Sequence, residues 1–275
     1  ISISSRGATH GDSGAIELST GSSTVGQAGT IEIETGAAEN GGAILLASGQ
    51  KGASLILAGG LDDIGGSVDI QSGSGVLQSG DIKAVTHSSH FASGAVTLSS
   101  GSSLNGASGA VDISTGDSVG STGGTLYASA GRSGSGIGGA LRVTSGESTT
   151  EIGGSVVITT GQSNIESGPI TLTSSDSAAD SGVVEISSGS AMSGTSGRLS
   201  VSTGNSEAST SGHVDISSGR ADINSGAVTL MAGKARLHPG LVNVLGGVST
   251  EDTGGSVTVV SGFSESAEHK SGSVL

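Results

Sequence analysis

A close pair of histidines, a scatter of carboxylates and many hydroxyls are what this sequence offers to chemistry. His87 and His90 stand three apart in IKAVTHSSHFASG, a spacing that two ligands of one metal ion could use. No third ligand follows at a recognisable spacing, so the pair reads as exposed loop histidines. Asp62 and Asp63 form an acidic pair in an irregular stretch. Glu17, Glu32, Asp69, Asp112, Glu185 and Asp215 recur along the chain and could attract Ca²⁺. The glycine-aspartate nonapeptide, whose short turns gather carboxylates and carbonyls around that ion, is not present. These carboxylates therefore read as solvated charges. Nucleophilic catalysis needs a hydroxyl held against a base, and glycoside hydrolysis needs two carboxylates at a defined gap. Serine is so common here that Ser, His and Asp in one chain carry no information. With one Tyr and no Trp, almost nothing can stack on a sugar ring. No catalytic, cofactor-binding or metal residue is assigned, and the chain does not read as an enzyme.

The elements that would have to position any such residue are repeats. Residues 93–116 read SGAVTLSSGSSLNGA and then SGAVDISTG, the same phrase twice. Its first aliphatic recurs at Ile1, Ile16, Ile31, Ile44, Leu55, Val68, Ile82, Val96, Val111, Leu126, Leu141, Val156, Ile170, Val184, Leu199, Val214, Val228, Val242, Val257 and Val274. The steps are even from Val96 through Val111 and Leu126 to Leu141, shortest from Ile44 to Leu55 and longest from Val257 to Val274. A second aliphatic follows two positions later at Leu18, Ile33, Leu98, Ile113, Ile158, Ile186, Ile216 and in most other phrases. Spacing of two puts both on one face of an extended chain, with Glu17, Asp69, Lys83, Asp112, Arg142, Glu185 and Asp215 between them on the other. Glycine punctuates every phrase and no 3.6 period holds, which excludes helix. Glycines flanking each strand are expected to supply positive φ at tight corners.

Polar bridges join the phrases. Many carry one aliphatic, such as Val25, Leu104, Val119, Ile137 or Met192, whose place relative to the preceding Gly floats. A stacked strand would fix that register. The bridges are therefore expected to be arched loops with an apolar plug, and they absorb the changes in length. The rhythm breaks at residues 50–66, 82–94 and 234–247. Pro239 belongs in a corner and Pro169 at the start of a strand.

Composition sets the outer limits. The chain has 275 residues, of which 52 are Gly and only 2 are Phe, and it has no Cys. A core without aromatics must be thin and built from stacked aliphatics. Their regular placing argues against disorder, which Gly and Ser alone would suggest. The net charge of -14 argues against a nucleic-acid partner, since phosphate recognition needs clustered Lys and Arg. No apolar run approaches the length of a membrane span. None of the Asn residues opens an N-glycosylation acceptor, while O-linked modification of Ser or Thr leaves no sequence signature.

These features predict an all-β fold, a parallel β-solenoid (β-helix) of 14–15-residue repeats. The offset from Val156 to Val214 returns from Ile170 to Val228, Val184 to Val242 and Leu199 to Val257. That echo at every fourth phrase favours two repeats per turn. One repeat per turn, three per turn and a stacked antiparallel sheet stay open as alternatives. Residues 1–275 form one array with no composition shift, and it starts and stops within a phrase. Arrays need polar caps, so the sequence is expected to be an uncapped segment of a longer protein. Its last rungs at Ile1 and Leu275 are expected to be open to more chain or another subunit.

The phrase SG-x-V-x-I-x-x-G, at residues 94–116, 154–161, 182–204 and 212–219, resembles the Ser/Gly-rich tandem repeats of very long extracellular proteins of algae and related stramenopiles. The resemblance implies a cell-wall, adhesive or mastigoneme-type β-solenoid protein located outside the cell or at its surface. The expected function is a stiff, rod-like structural component of an extracellular filament or surface coat. Its expected partners are itself or other filament subunits, joined end to end or laterally, with extracellular glycans as further candidates. The alternative is an adhesin-like stalk that binds carbohydrate, mineral or ice. Ice binding would call for threonine ladders, whereas the outward column mixes Glu, Asp, Lys, Arg, Tyr and Thr.

Overall fold

The computed structural model describes residues 1–5, 7–38, 41–49, 52–264 and 270–274. Residues 50 and 51 of the irregular stretch lie outside that set, as does Leu275, where an open rung was expected. The chain divides into two units, Ile1–Leu141 and Arg142–Leu275. In each, most phrases show one bend among the described residues. The first unit bends at 24–26, 62–64, 76–77, 90–91, 104–106, 119–121 and 134–136, among other places. The second bends at 149–151, 164–165, 178–179, 192–194, 207–209, 222–223, 236–238 and 250–252. Every one of these bends falls in a bridge, and the aliphatic pairs lie on the stretches between. Pro239 directly follows the bend at 236–238.

The predicted β-solenoid is not what the chain forms. Among the described residues there is no strand and no helix. A strand exists only where its backbone finds a ladder partner. Here consecutive segments come together only near isolated glycines, against a side chain at some places and against backbone at others. A Cβ placed on Gly29 would lie 3.4 Å from Thr20 Cγ2, one on Gly109 3.7 Å from Ser100 Cβ, and one on Gly212 3.4 Å from Thr203 Cγ2. Where two backbones do meet, they do so through one bond between glycines, and Ser264 aside no described residue continues it into a ladder. No rungs form among the described residues, and the question of repeats per turn falls away.

The predicted core is absent for the same reason. Ile113, Ile158, Ile186 and Ile216, second aliphatics of the face that a stacked core would cover, are 64–76% exposed. Asp112, Glu185 and Asp215 are exposed. Among the described residues none is buried, and only Gly59, Ser174, Ala232, Gly246, Ser261 and Ser264 are even half-buried. The chain exposes 28178 Å² at a mass of 25.9 kDa. A folded monomer of that mass exposes about 10,500 Å² and its unfolded chain about 37,600 Å². The surface thus lies closer to the unfolded value, although the path of the backbone is periodic.

Period two survives in the exposures. Leu55 and Leu57 are 56% and 63% exposed while Ile56 between them is 80% exposed. The first aliphatic of a phrase is the best covered, as with Ile31, Val111 and Val242 at 45–46%. Bridge aliphatics are not plugs: Leu104, Val119 and Met192 are 99–108% exposed. The glycines also have a different role from the one expected. Among the described residues only Gly11 and Gly52 have positive φ.

Candidate functional site

The feature the fold repeats most often is the neck of a bridge. At each neck the chain leaves one segment and re-enters the next, and glycine commonly lies on both sides. The Gly139 amide donates to the Gly131 carbonyl at 2.9 Å, and Gly154 to Gly146, Gly80 to Gly73, Gly66 to Gly60 and Gly255 to Gly247 do the same at 2.9 Å. Gly240 to Gly233 and Gly272 to Gly262 complete the series at 3.2 and 2.8 Å. At other necks a side chain takes over the closure. Thr20 Oγ1 donates to the Gly29 carbonyl at 3.1 Å and Thr115 Oγ1 to the Gly124 carbonyl at 3.2 Å. Bridges of different length thus close through a glycine by one of two bonds, an amide-to-carbonyl bond or a threonine hydroxyl-to-carbonyl bond.

Glycine is required at some necks by space. A Cβ on Gly246 would run into the Gly255 carbonyl oxygen, and one on Gly124 would lie 2.9 Å from Thr115 Cβ. Half-buried Gly59 is in the same position relative to the Gly66 carbonyl.

Inside the bridge a serine shapes the bend. Ser103 Oγ accepts from the Gly106 amide at 3.1 Å, Ser133 Oγ from Gly136 at 2.7 Å and Ser148 Oγ from Glu151 at 2.9 Å. Ser249 Oγ accepts from Asp252 at 2.8 Å and Ser23 Oγ from Gly26 at 2.9 Å. Hydroxyl side chains make such bonds to amides a few residues on and thereby favour turns. Each of these serines lies two positions after the glycine that closes a segment: Gly101, Gly131, Gly146, Gly247 and Gly21. Reasoning from the sequence tracked the floating aliphatics in the bridges and missed this fixed G-x-S spacing. It was legible there, because Ser118, Ser163 and Ser206 follow Gly116, Gly161 and Gly204 at the same distance, with Ala191, Ala221 and Ala235 as the exceptions after Gly189, Gly219 and Gly233.

The residues weighed for chemistry stay apart. Among the described residues no group of three or more His, Cys, Asp or Glu is placed to hold a metal ion, and no pocket is enclosed. His87 and His90 are exposed, with His90 on the bend next to Phe91. The Asp62 carboxylate accepts from the Asp63 amide at 2.9 Å, a turn contact. Lys83 and Asp81 pair at 3.1 Å, with both side chains largely exposed to water, where such a pair contributes about 0–1 kcal/mol. No helix among the described residues is long and apolar enough to cross a membrane.

The remaining surface is the open backbone. Ser264 aside, the described residues carry no backbone-to-backbone hydrogen bond beyond the seven glycine bonds. A folded chain normally makes about one hydrogen bond per residue, two-thirds of them between backbone groups. The segments therefore combine an aliphatic face, an outward polar column and two unpaired backbone edges. Nothing in that combination concentrates a reactive group among the described residues. No family model matches the chain, and neither a curated protein nor a solved structure matches it.

Proposed function

We propose that this protein is a structural component of an extracellular filament or surface coat, and that it works by assembling with further copies or other subunits. The observation that carries this reading is the repetition of one open unit, an aliphatic pair on a segment with unpaired backbone, closed at each end by a glycine neck. Such a unit gains most of its stabilisation from neighbours outside itself. Each neighbour adds the same increment, so stability grows with the size of the assembly. The resemblance of SG-x-V-x-I-x-x-G to algal and stramenopile surface repeats supports the same class and an address outside the cell. The mixed outward column of Glu17, Asp69, Lys83, Thr97, Asp112 and Arg142 also suits a surface that meets others like it. A lattice of one residue type would have pointed to an adhesin.

The test is sedimentation velocity and electron microscopy on purified residues 1–275 over a wide concentration range. Filaments or sheets above a critical concentration are the expected result. A stable monomer at high concentration would overturn the reading and favour a stalk that acts alone.

A further inference from the structure

The partner that fits the open backbone edges is a second copy of this chain, stacked in register. We infer that each extended segment pairs with the same segment of the copy above and of the copy below, so that β-ladders form only between molecules. This rests on the assembly reading above and adds the identity and register of the neighbour.

Three observations lead to it. The first is the unpaired backbone. Ser264 aside, the described residues make backbone-to-backbone hydrogen bonds only at the seven glycine necks, so the amides and carbonyls of the segments between have no backbone partner within the chain. A row of such groups is completed by another extended backbone about 4.8 Å away. The second is register. Steps between phrases vary, from the short one at Ile44–Leu55 to the long one at Val257–Val274, and the bridges that absorb them differ in sequence. A copy shifted by one phrase would set short bridges over long ones at many places. Only an unshifted copy sets every segment over a segment and every bridge over its equal. The third is area. The chain exposes 28178 Å² where a folded chain of its mass exposes about 10,500 Å². The excess is about ten times the roughly 1,600 Å² of a standard interface. Copies on both edges account for an excess of that size.

Stacking in register also sets Asp112 on Asp112 and Glu185 on Glu185. The opposing charge is spread along the outward column and is open to counter-ions, so it slows assembly at low salt without changing the register.

The chain's single tyrosine gives a direct test, because carbonyl-¹³C tyrosine labels each copy only at Tyr127, within the segment that begins at Leu126. In assembled wild-type protein, in-register stacking puts neighbouring labels about 4.8 Å apart. Dipolar recoupling should then dephase most of the Tyr127 carbonyl signal, and aligned material should diffract at about 4.7–4.8 Å along its axis. Assembly without that coupling would overturn the register while leaving the structural reading in place. Assembly without the reflection would overturn the intermolecular ladder. A chain that stays monomeric would overturn both.

Discussion

The amide of Gly139 donates to the carbonyl of Gly131 at 2.9 Å, and Gly255 makes the same bond to Gly247 across a bridge of different sequence. At these necks the closure is the same although the bridges between them differ in sequence. A neck brings one stretch of chain close against another, by backbone or through a threonine, and a side chain added at the glycine can prevent that approach. Gly124 and Gly116 should separate this role of glycine from simple flexibility. A Cβ at Gly124 would lie 2.9 Å from Thr115 Cβ, whereas one at Gly116 meets nothing within 4 Å. Gly124→Ala should destabilise assembled material by about 1–3 kcal/mol, as forced overpacking does. Gly116→Ala should be neutral or stabilising by up to about 1 kcal/mol through the unfolded chain. Denaturant midpoints of the assemblies measure both.

The bridge serines make a second, local prediction. Ser103 Oγ holds the Gly106 amide at 3.1 Å on an exposed bend. Ser103→Ala should speed hydrogen exchange at Gly106 by a few fold, since a net hydrogen bond contributes about 0.5–1.5 kcal/mol. Ala191→Ser should slow exchange in the bridge that follows Gly189, where serine is missing from the pattern. Equal exchange in wild type and Ser103→Ala would show that the bend does not depend on the hydroxyl.

How much of this was legible in the sequence follows from what each residue reports. The polar stretches between phrases announced the bends, because a bend is a property of a few consecutive residues, whereas the strands read from pairs such as Val111 and Ile113 do not form. Spacing of two cannot say which neighbour covers the aliphatic face. The solenoid reading assumed that Ile186 packs on another turn of its own chain, and in the structure it is 65% exposed. The glycines misled in a similar way. Positive φ was expected throughout and occurs at Gly11 and Gly52 among the described residues, while Gly124 and Gly246 are glycine for lack of room. That reason depends on contacts with Thr115 and Gly255, across a whole bridge, which no local pattern encodes. The G-x-S spacing was the signal within reach that went unread.

Charge should control assembly in a definite direction. The chain carries a net charge of -14 with a pI of about 4.6, so each added copy brings like charge close to like charge. Exposed charges more than about 8–10 Å apart are largely screened at 0.1–0.15 M salt. The critical concentration should therefore fall as salt rises. It should also fall as pH drops from 7 toward 4.6, because carboxylates lose charge and the net value approaches zero. Light scattering across a salt and pH grid checks both trends, and slower assembly on either path would contradict them.

Aliphatics in segments and in bridges should separate most clearly. Ile186 and Ile158 belong to the repeating pairs, whereas Val119 and Ile137 belong to bridges and are fully exposed. In an isolated chain all four are open to water, so substitution of any of them should leave its spectra nearly unchanged. In an assembly a segment aliphatic is covered by its equals on neighbouring copies. Full burial of such a side chain contributes about 1.5–3 kcal/mol. Ile186→Ser should then raise the critical concentration by at least about tenfold, since about 1.4 kcal/mol is a factor of ten. Val119→Ser and Ile137→Ser should shift it less than about twofold, because a bridge offers no flat face to cover. Sedimentation of the assembled fraction against total protein gives these values. Equal shifts for segment and bridge variants would mean that assembly responds to overall hydrophobicity and that the repeating pair has no special part in it.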